Sequence, residues 1–290
     1  MDGRREGAAA GGRLSVVVPA HQEAAVIGRC LDALHAQLAP GQAEIVVVAN
    51  GCTDTTADVA RRHPVRPAVV ELAVGSKSAA LNAGDARVSA FPRLYVDADV
   101  VLGPGAVSAL LQVLARGDVH VAAPEPRFDT RGRPWVVRSY YRTWQRLPFL
   151  NEEPVGNGVY ALSQEGRARF DAFPPLIADD LFVLRHFTVP ERRAVRDVSF
   201  DVQAPRHLSD LIAVRTRAYL GVTELSAWQE GRLANPGASR ARALRDLVAT
   251  WRDVPAVLAY AVVSAVASMR ASRRWRRGDT MTWDRDGSTR

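Results

Sequence analysis

The sequence predicts an α/β fold: a mostly parallel sheet flanked by helices, followed by a helical C-terminal extension. Three observations lead there. Short apolar runs rich in β-branched residues recur through the first half, segments of helical period separate them, and the chain closes on a long apolar stretch and an arginine cluster. Strands buried on both faces read as continuous apolar runs. Five segments do so: Leu14–Pro19 (LSVVVP), Glu44–Ala49 (EIVVVA), Ala68–Leu72 (AVVEL), Arg93–Asp97 (RLYVD) and Val119–Ala123 (VHVAA). Between them, Ala24–Leu38, Thr53–Arg62, Ser76–Ala90 and Gly103–Arg116 carry helical spacing. This β-α alternation predicts right-handed crossovers and a sheet covered on both sides.

The second half reads as a more irregular assembly. Pro134–Leu147 predicts an aromatic-rich helix, Val155–Leu162 a glycine-bearing strand, and Asp179-Asp180 the opening of a helix. A short two-strand stretch is expected near Ala194–Val202, then helices over Ser209–Glu230 and Ser239–Thr250. The apolar segment Val254–Met269 would reach roughly 24 Å as a helix, short of the ~30 Å hydrocarbon core. It therefore reads either as a helix packed on the domain or as one lying on an anionic leaflet. These divisions give a flexible tail over 1–13, a ligand-binding half over 14–123, a second half over 124–235, and a basic helical extension over 236–290.

Composition narrows the function. The net charge of +7 is matched by residues 240–277 alone, where nine arginines face Asp246 and Asp253, so the rest is near neutral. Trp251, Trp275 and Trp283 accompany the arginines, yet no nucleic-acid recognition motif does. No Gly-x-Gly-x-x-Gly follows the first strand, which argues against a dinucleotide oxidoreductase. Two cysteines without metal-ligand spacing and an N-terminus without a signal-like apolar run point to a reduced, cytoplasmic compartment. Of 38 basic residues, Lys77 is the only lysine. A compact ammonium at one position in an arginine-rich chain marks that position for scrutiny.

Ligands of open α/β sheets sit beyond the carboxyl ends of the strands. There the sequence places Pro19-Ala20-His21-Gln22-Glu23, then Asn50-Gly51-Cys52-Thr53-Asp54, then Gly75-Ser76-Lys77, then Asp97-Ala98-Asp99. Carboxylates at i and i+2 of an extended segment share a side. Asp97 and Asp99 therefore fit either a solvated turn or the seat of a hard divalent ion with positions open to phosphate oxygens. Lys77 opens a small-residue helix start suited to an anion, or to an ordinary turn. Asp179 and Asp180 read as helix-start caps or as a general base. His207 reads as a surface histidine or a metal ligand, and Arg215 and Arg217 as solvated residues or diphosphate partners.

Taken in order, VVVPAHQEAAVIGRCLDAL, VVVANGCTDTTADVA, GSKSAALNAG, the Asp-Ala-Asp after YV, GNGVYAL and IADDLFV resemble the family 2 glycosyltransferases of the GT-A (Rossmann-like) fold, from about Leu14 to Gly221. The resemblance implies inverting transfer of a sugar from a nucleotide diphosphate donor to an acceptor hydroxyl, with Mn²⁺ or Mg²⁺. It assigns Asp97 to the ribose side, Asp99 and His207 to the metal, and Pro19, His21 and Glu23 to the nucleoside pocket. Lys77 falls beside the nucleotide, and Asp180, next to Asp179, becomes the catalytic base; Asn50 is counted with the donor-binding residues on its position after the second strand, beside Arg215 and Arg217. One departure stands out. The family's Asp-Asp-Gly-Ser loop reads Ala49-Asn50-Gly51-Cys52, so the carboxylate that recognises a uracil imide is missing and the base is left open. That altered loop also suits a non-catalytic nucleotide-sugar-binding module of the same fold. The acceptor is left open between a lipid-linked saccharide, a growing polysaccharide and a small metabolite.

Overall fold

The computed structural model describes residues 13–147, 158–228 and 253–279. The predicted helix over 239–250, the residues 155–157 that precede the glycine-bearing strand, and Trp251 and Trp283 lie outside them. The parallel half follows the sequence reading: β1 (Leu14–Ala20), α1 (Ile27–His35), β2 (Ala43–Asn50), α2 (Thr56–Arg62), β3 (Ala68–Leu72), α3 (Lys77–Asp85) and β4 (Arg93–Val96). β1 lies between β2 and β4, and all three pairings in the order β3-β2-β1-β4 are parallel. The chain thus winds outward from β1 in both directions, leaving a crevice at the carboxyl ends of β1 and β4, where such sheets take ligands.

Beyond β4 the sheet changes sense. The remaining elements are β5 (Val101–Leu102), α4 (Ala106–Leu114), β6 (Val121–Asp129), α5 (Trp135–Trp144), β7 (Val159–Leu162), α6 (Gln164–Arg167), α7 (Asp179–Leu184), β8 (Arg192–Gln203), α8 (Leu208–Trp228) and α9 (Val254–Arg276). β7 inserts between β4 and β6, antiparallel to both, and β5 pairs antiparallel with β8. The eight strands form one mixed sheet. The predicted two-strand stretch near Ala194–Val202 is a single strand. Its register against β6 shifts where Pro124↔Val195 is followed by Glu125↔Ser199. Pro124 and Pro126 supply no amide to the ladder there, which favours an irregularity.

Three apolar clusters hold the layers. Leu14, Val16 and Val18 face Ile27, Leu31 and Leu34 of α1 on one side of the sheet. Val17 and Val46 face α3 and Phe173, Phe182 and Val183 on the other. Gly84 lets α3 lie close on β1, since a Cβ there would run into the Val17 side chain. A satellite core joins Tyr140, Tyr141 and Trp144 of α5 to Leu211 of α8 and to Tyr260 and Val263 of α9.

Candidate active site

At the crevice, Lys77 begins α3, behind Ser76, whose hydroxyl caps the helix by accepting the Ala79 amide. Its ammonium lies 2.9 Å from Asp97 Oδ1 and 3.3 Å from Asp179 Oδ1. Asp97 follows β4; Asp179 and Asp180 open α7, 82 residues after Asp97 in the chain order 97 to 179. The lone lysine thus bridges carboxylates of two distant segments. Burial by itself would depress the Lys77 pKa, but Asp179, Asp97 and Asp180 together hold the ammonium above its ordinary range.

The carboxylates are under the opposite pressure. Burial, reinforced by the neighbouring Asp97, pushes Asp99 up to about 6. Burial also pushes Asp179 up to about 7, Lys77 opposing it and Asp180 and Asp97 adding to it. Asp180 is raised as well, chiefly by burial. The two aspartates of α7 differ in setting: Asp179 is only 3% exposed and its Oδ2 has no hydrogen-bond partner. Asp180 is half-buried at the crevice side, and its Oδ1 accepts the Leu181 amide at 2.7 Å.

Two residues not singled out by the sequence hold this arrangement. Asn82, one turn beyond Lys77, donates to the Phe173 carbonyl at 2.9 Å and accepts the Phe173 amide at 2.8 Å. Glu224 accepts the Ile177 amide at 2.7 Å. The segment leading to Asp179-Asp180 is therefore pinned to α3 on one side and to α8 on the other. An amide inside the small-residue helix SAALNAG was the available sign for Asn82. Gly158, at φ +99°, accepts the Asp97 amide at 2.8 Å, and a Cβ there would stand 3.1 Å from Asp97 Oδ2.

The remaining expected site residues divide. His21 lies at the same mouth, its Nδ1 2.6 Å from the Asn50 carbonyl oxygen, with Pro19 buried in β1 and Glu23 buried at the start of α1. Arg217 is close enough to lower the Asp99 pKa. Asn50 is fully buried and spends its amide on the scaffold, donating to the Ala20 carbonyl at 2.8 Å and accepting the Ser76 amide at 2.9 Å. It ties the ends of β1 and β2 to the start of α3. Arg215 is taken up by the satellite core, its guanidinium 5.5–5.8 Å from the ring centroids of Tyr140, Trp144 and Tyr219. His207 is exposed in the turn before α8. Among the described residues no three His, Cys, Asp or Glu side chains are gathered closely enough to hold an ion, so His207 is not assembled with Asp97 and Asp99.

Gly51 completes the mouth. At φ +59°, its missing Cβ leaves room for the Gly75 backbone, whose Cα would be 2.8 Å from it. Gly51→Ala is expected to destabilise the protein by at least about 1–3 kcal/mol, through left-handed strain and this contact. A thermal melt reads that as a fall of several degrees.

A parallel β-α-β half closed by an antiparallel strand, with an Asp-x-Asp pair at its mouth, defines the GT-A class of fold. The chain belongs to glycosyl transferase family 2, whose pattern its residues 15–163 match. It resembles a mannosyltransferase of Pyrobaculum calidifontis solved with GDP-Man and Mn²⁺, at TM-score 0.62 and 22% identity, over 92% of this chain and 79% of that one. Glucosyl-3-phosphoglycerate synthase of Mycobacterium tuberculosis is similar at TM-score 0.55 and 22% identity, over 75% and 81%. Among curated proteins, validoxylamine A glucosyltransferase of Streptomyces hygroscopicus subsp. limoneus is 37% identical over 103 residues, 34% of this chain. That match spans 23% of the relative's length.

Proposed function

We propose that the protein transfers a glycosyl group from a nucleoside diphosphate sugar to an acceptor hydroxyl with inversion, Asp180 acting as general base. The observation that carries this is the Lys77-centred cluster of Asp97, Asp179 and Asp180 at the crevice between β1 and β4. Family membership and the nucleotide-sugar complexes of the structural neighbours support the same reading.

Asp97 and Asp99 offer oxygen donors of the kind a hard divalent ion takes. Asp97 pairs with Lys77, whereas among the described residues no salt bridge reaches Asp99, whose pKa is raised by burial and by Asp97. Asp99 would hold Mn²⁺ or Mg²⁺, with Asp97 beside it on the ribose side; His207, exposed before α8 and apart from the pair, would join as a further ligand only on rearrangement. When bound, the ion supplies charge neutralisation for the departing diphosphate. Arg217 adds positive charge at the same place, and Lys77 holds Asp97 in position for the nucleotide. Asp180, at the open side of α7, accepts the proton of the acceptor hydroxyl as that oxygen attacks the anomeric carbon.

Calorimetry with a panel of nucleotide sugars, with and without Mn²⁺, tests this. Because a proton competes with the cation at Asp99, Mn²⁺-dependent donor affinity is expected to be full at pH 7.5. It should fall as pH drops through about 6, by up to about tenfold per unit below it. Asp99→Asn should abolish the Mn²⁺ dependence, and His207→Ala should weaken it if the ring joins the ion. Affinity for no nucleotide sugar at any pH would overturn the assignment.

A further inference from the structure

The C-terminal helix carries a surface that the donor site does not use. α9 buries Tyr260, Val263, Ala267 and Ala271 against its neighbours. Its opposite side is apolar and open: Val254, Leu258, Val262 and Met269 are 47%, 59%, 54% and 54% exposed. At 3.6 residues per turn these four fall within an arc of about 80°. Arg276 lies inside that arc and Arg273 at its edge, so the apolar stripe runs into positive charge on one face.

The buried side of α9 is fixed by α5. The Arg146–Asp253 ion pair, 3.3 Å, joins the end of α5 to the start of α9, and Tyr140 stacks on Tyr260 with centroids 5.0 Å apart. The two helices therefore run antiparallel, which sets the start of α5 towards the arginine end of α9. Among the described residues no salt bridge joins a carboxylate to Arg270, Arg273, Arg276 or Arg277.

An exposed apolar stripe that runs into arginines with no acidic partner among the described residues matches the chemistry of one surface, an anionic lipid leaflet. We propose that the outer side of α9 is a peripheral membrane-docking face. The stripe enters the headgroup–acyl boundary, and Arg273 and Arg276 engage lipid phosphates. By length and composition α9 is also apolar enough to cross a bilayer. Crossing would strip Tyr260 and Val263 from their packing on Tyr140 and Leu211, so the helix lies along the surface.

The test is co-sedimentation of the full chain with phosphatidylcholine vesicles, with and without phosphatidylglycerol. Retention is expected on the anionic vesicles alone and should weaken with salt. It should fall about tenfold or more in Leu258→Asp/Val262→Asp and, separately, in Arg273→Glu/Arg276→Glu. An unchanged melting temperature certifies that each variant is folded. Absence of retention, or equal retention by folded variants, overturns the proposal. So does a vesicle-free dimer that Leu258→Asp splits, which would give the face to a second copy, or retention resistant to alkaline extraction, which would mean that the helix spans.

Discussion

Asp180→Asn is expected to lower turnover by about 10²–10⁴ while leaving donor affinity within a few-fold of the wild type. The substitution keeps the size of the side chain and its acceptor for the Leu181 amide, so α7 should start as before. What is lost is the capacity to take a proton. Burial raises the Asp180 pKa, so wild-type turnover should decline as the pH falls through that raised value and the carboxylate is protonated. The variant should lack this acidic limb. Asp179→Asn should behave otherwise, because Asp179 is buried and bound to Lys77. Its substitution should disturb donor affinity and stability together. Steady-state kinetics beside calorimetric donor titration separates the two aspartates; turnover within tenfold of wild type in Asp180→Asn would remove it as the base.

The parallel half of the fold was legible because each strand is an apolar run and each crossover carries helical period, and both follow from burial on two faces. The sense of β7 was not. VYAL has the composition of the parallel strands, and its direction is set by its pairing with β4 at Leu94↔Ala161 and Tyr95↔Tyr160. β5, two residues long, leaves no periodic trace. Within the site, Lys77, Asp97, Asp179 and Asp180 were readable from residue type and position at strand and helix ends. Asn82 and Glu224 were not, since their partners are main-chain amides 91 and 47 residues away. Asn50 and Arg215 were placed at the donor by residue type and chain position alone. Tertiary packing assigns the first to a buried clamp between strand ends and the second to rings contributed by α5 and α8.

Lys77→Met should show how far the fold depends on the same cation that serves the site. The ammonium side chain is 15% exposed and touches both Asp97 and Asp179. Removing it strands charge in a setting where breaking a buried pair costs about 3–5 kcal/mol. A chain of this size should then melt roughly 6–20 °C lower. The deficit should depend on pH with a definite sign. Asp179 already sits near 7 in the fold against 3.8 for its ordinary value, so the folded state binds the proton more tightly than the unfolded one. Such a group lowers stability as pH rises from about 4 through its folded pKa. Without Lys77 that pKa rises further, so the variant's deficit should be largest above pH 7 and shrink towards pH 5, where the stranded carboxyl is protonated. Lys77→Arg restores the charge but brings a longer, planar group into a slot walled by Asp97, Asp179 and the Gly158 turn. It should recover part of the stability and little of the donor affinity. Equal melting temperatures for Lys77→Met and wild type at pH 8 would show that the cluster is solvated and that its aspartates need no internal cation.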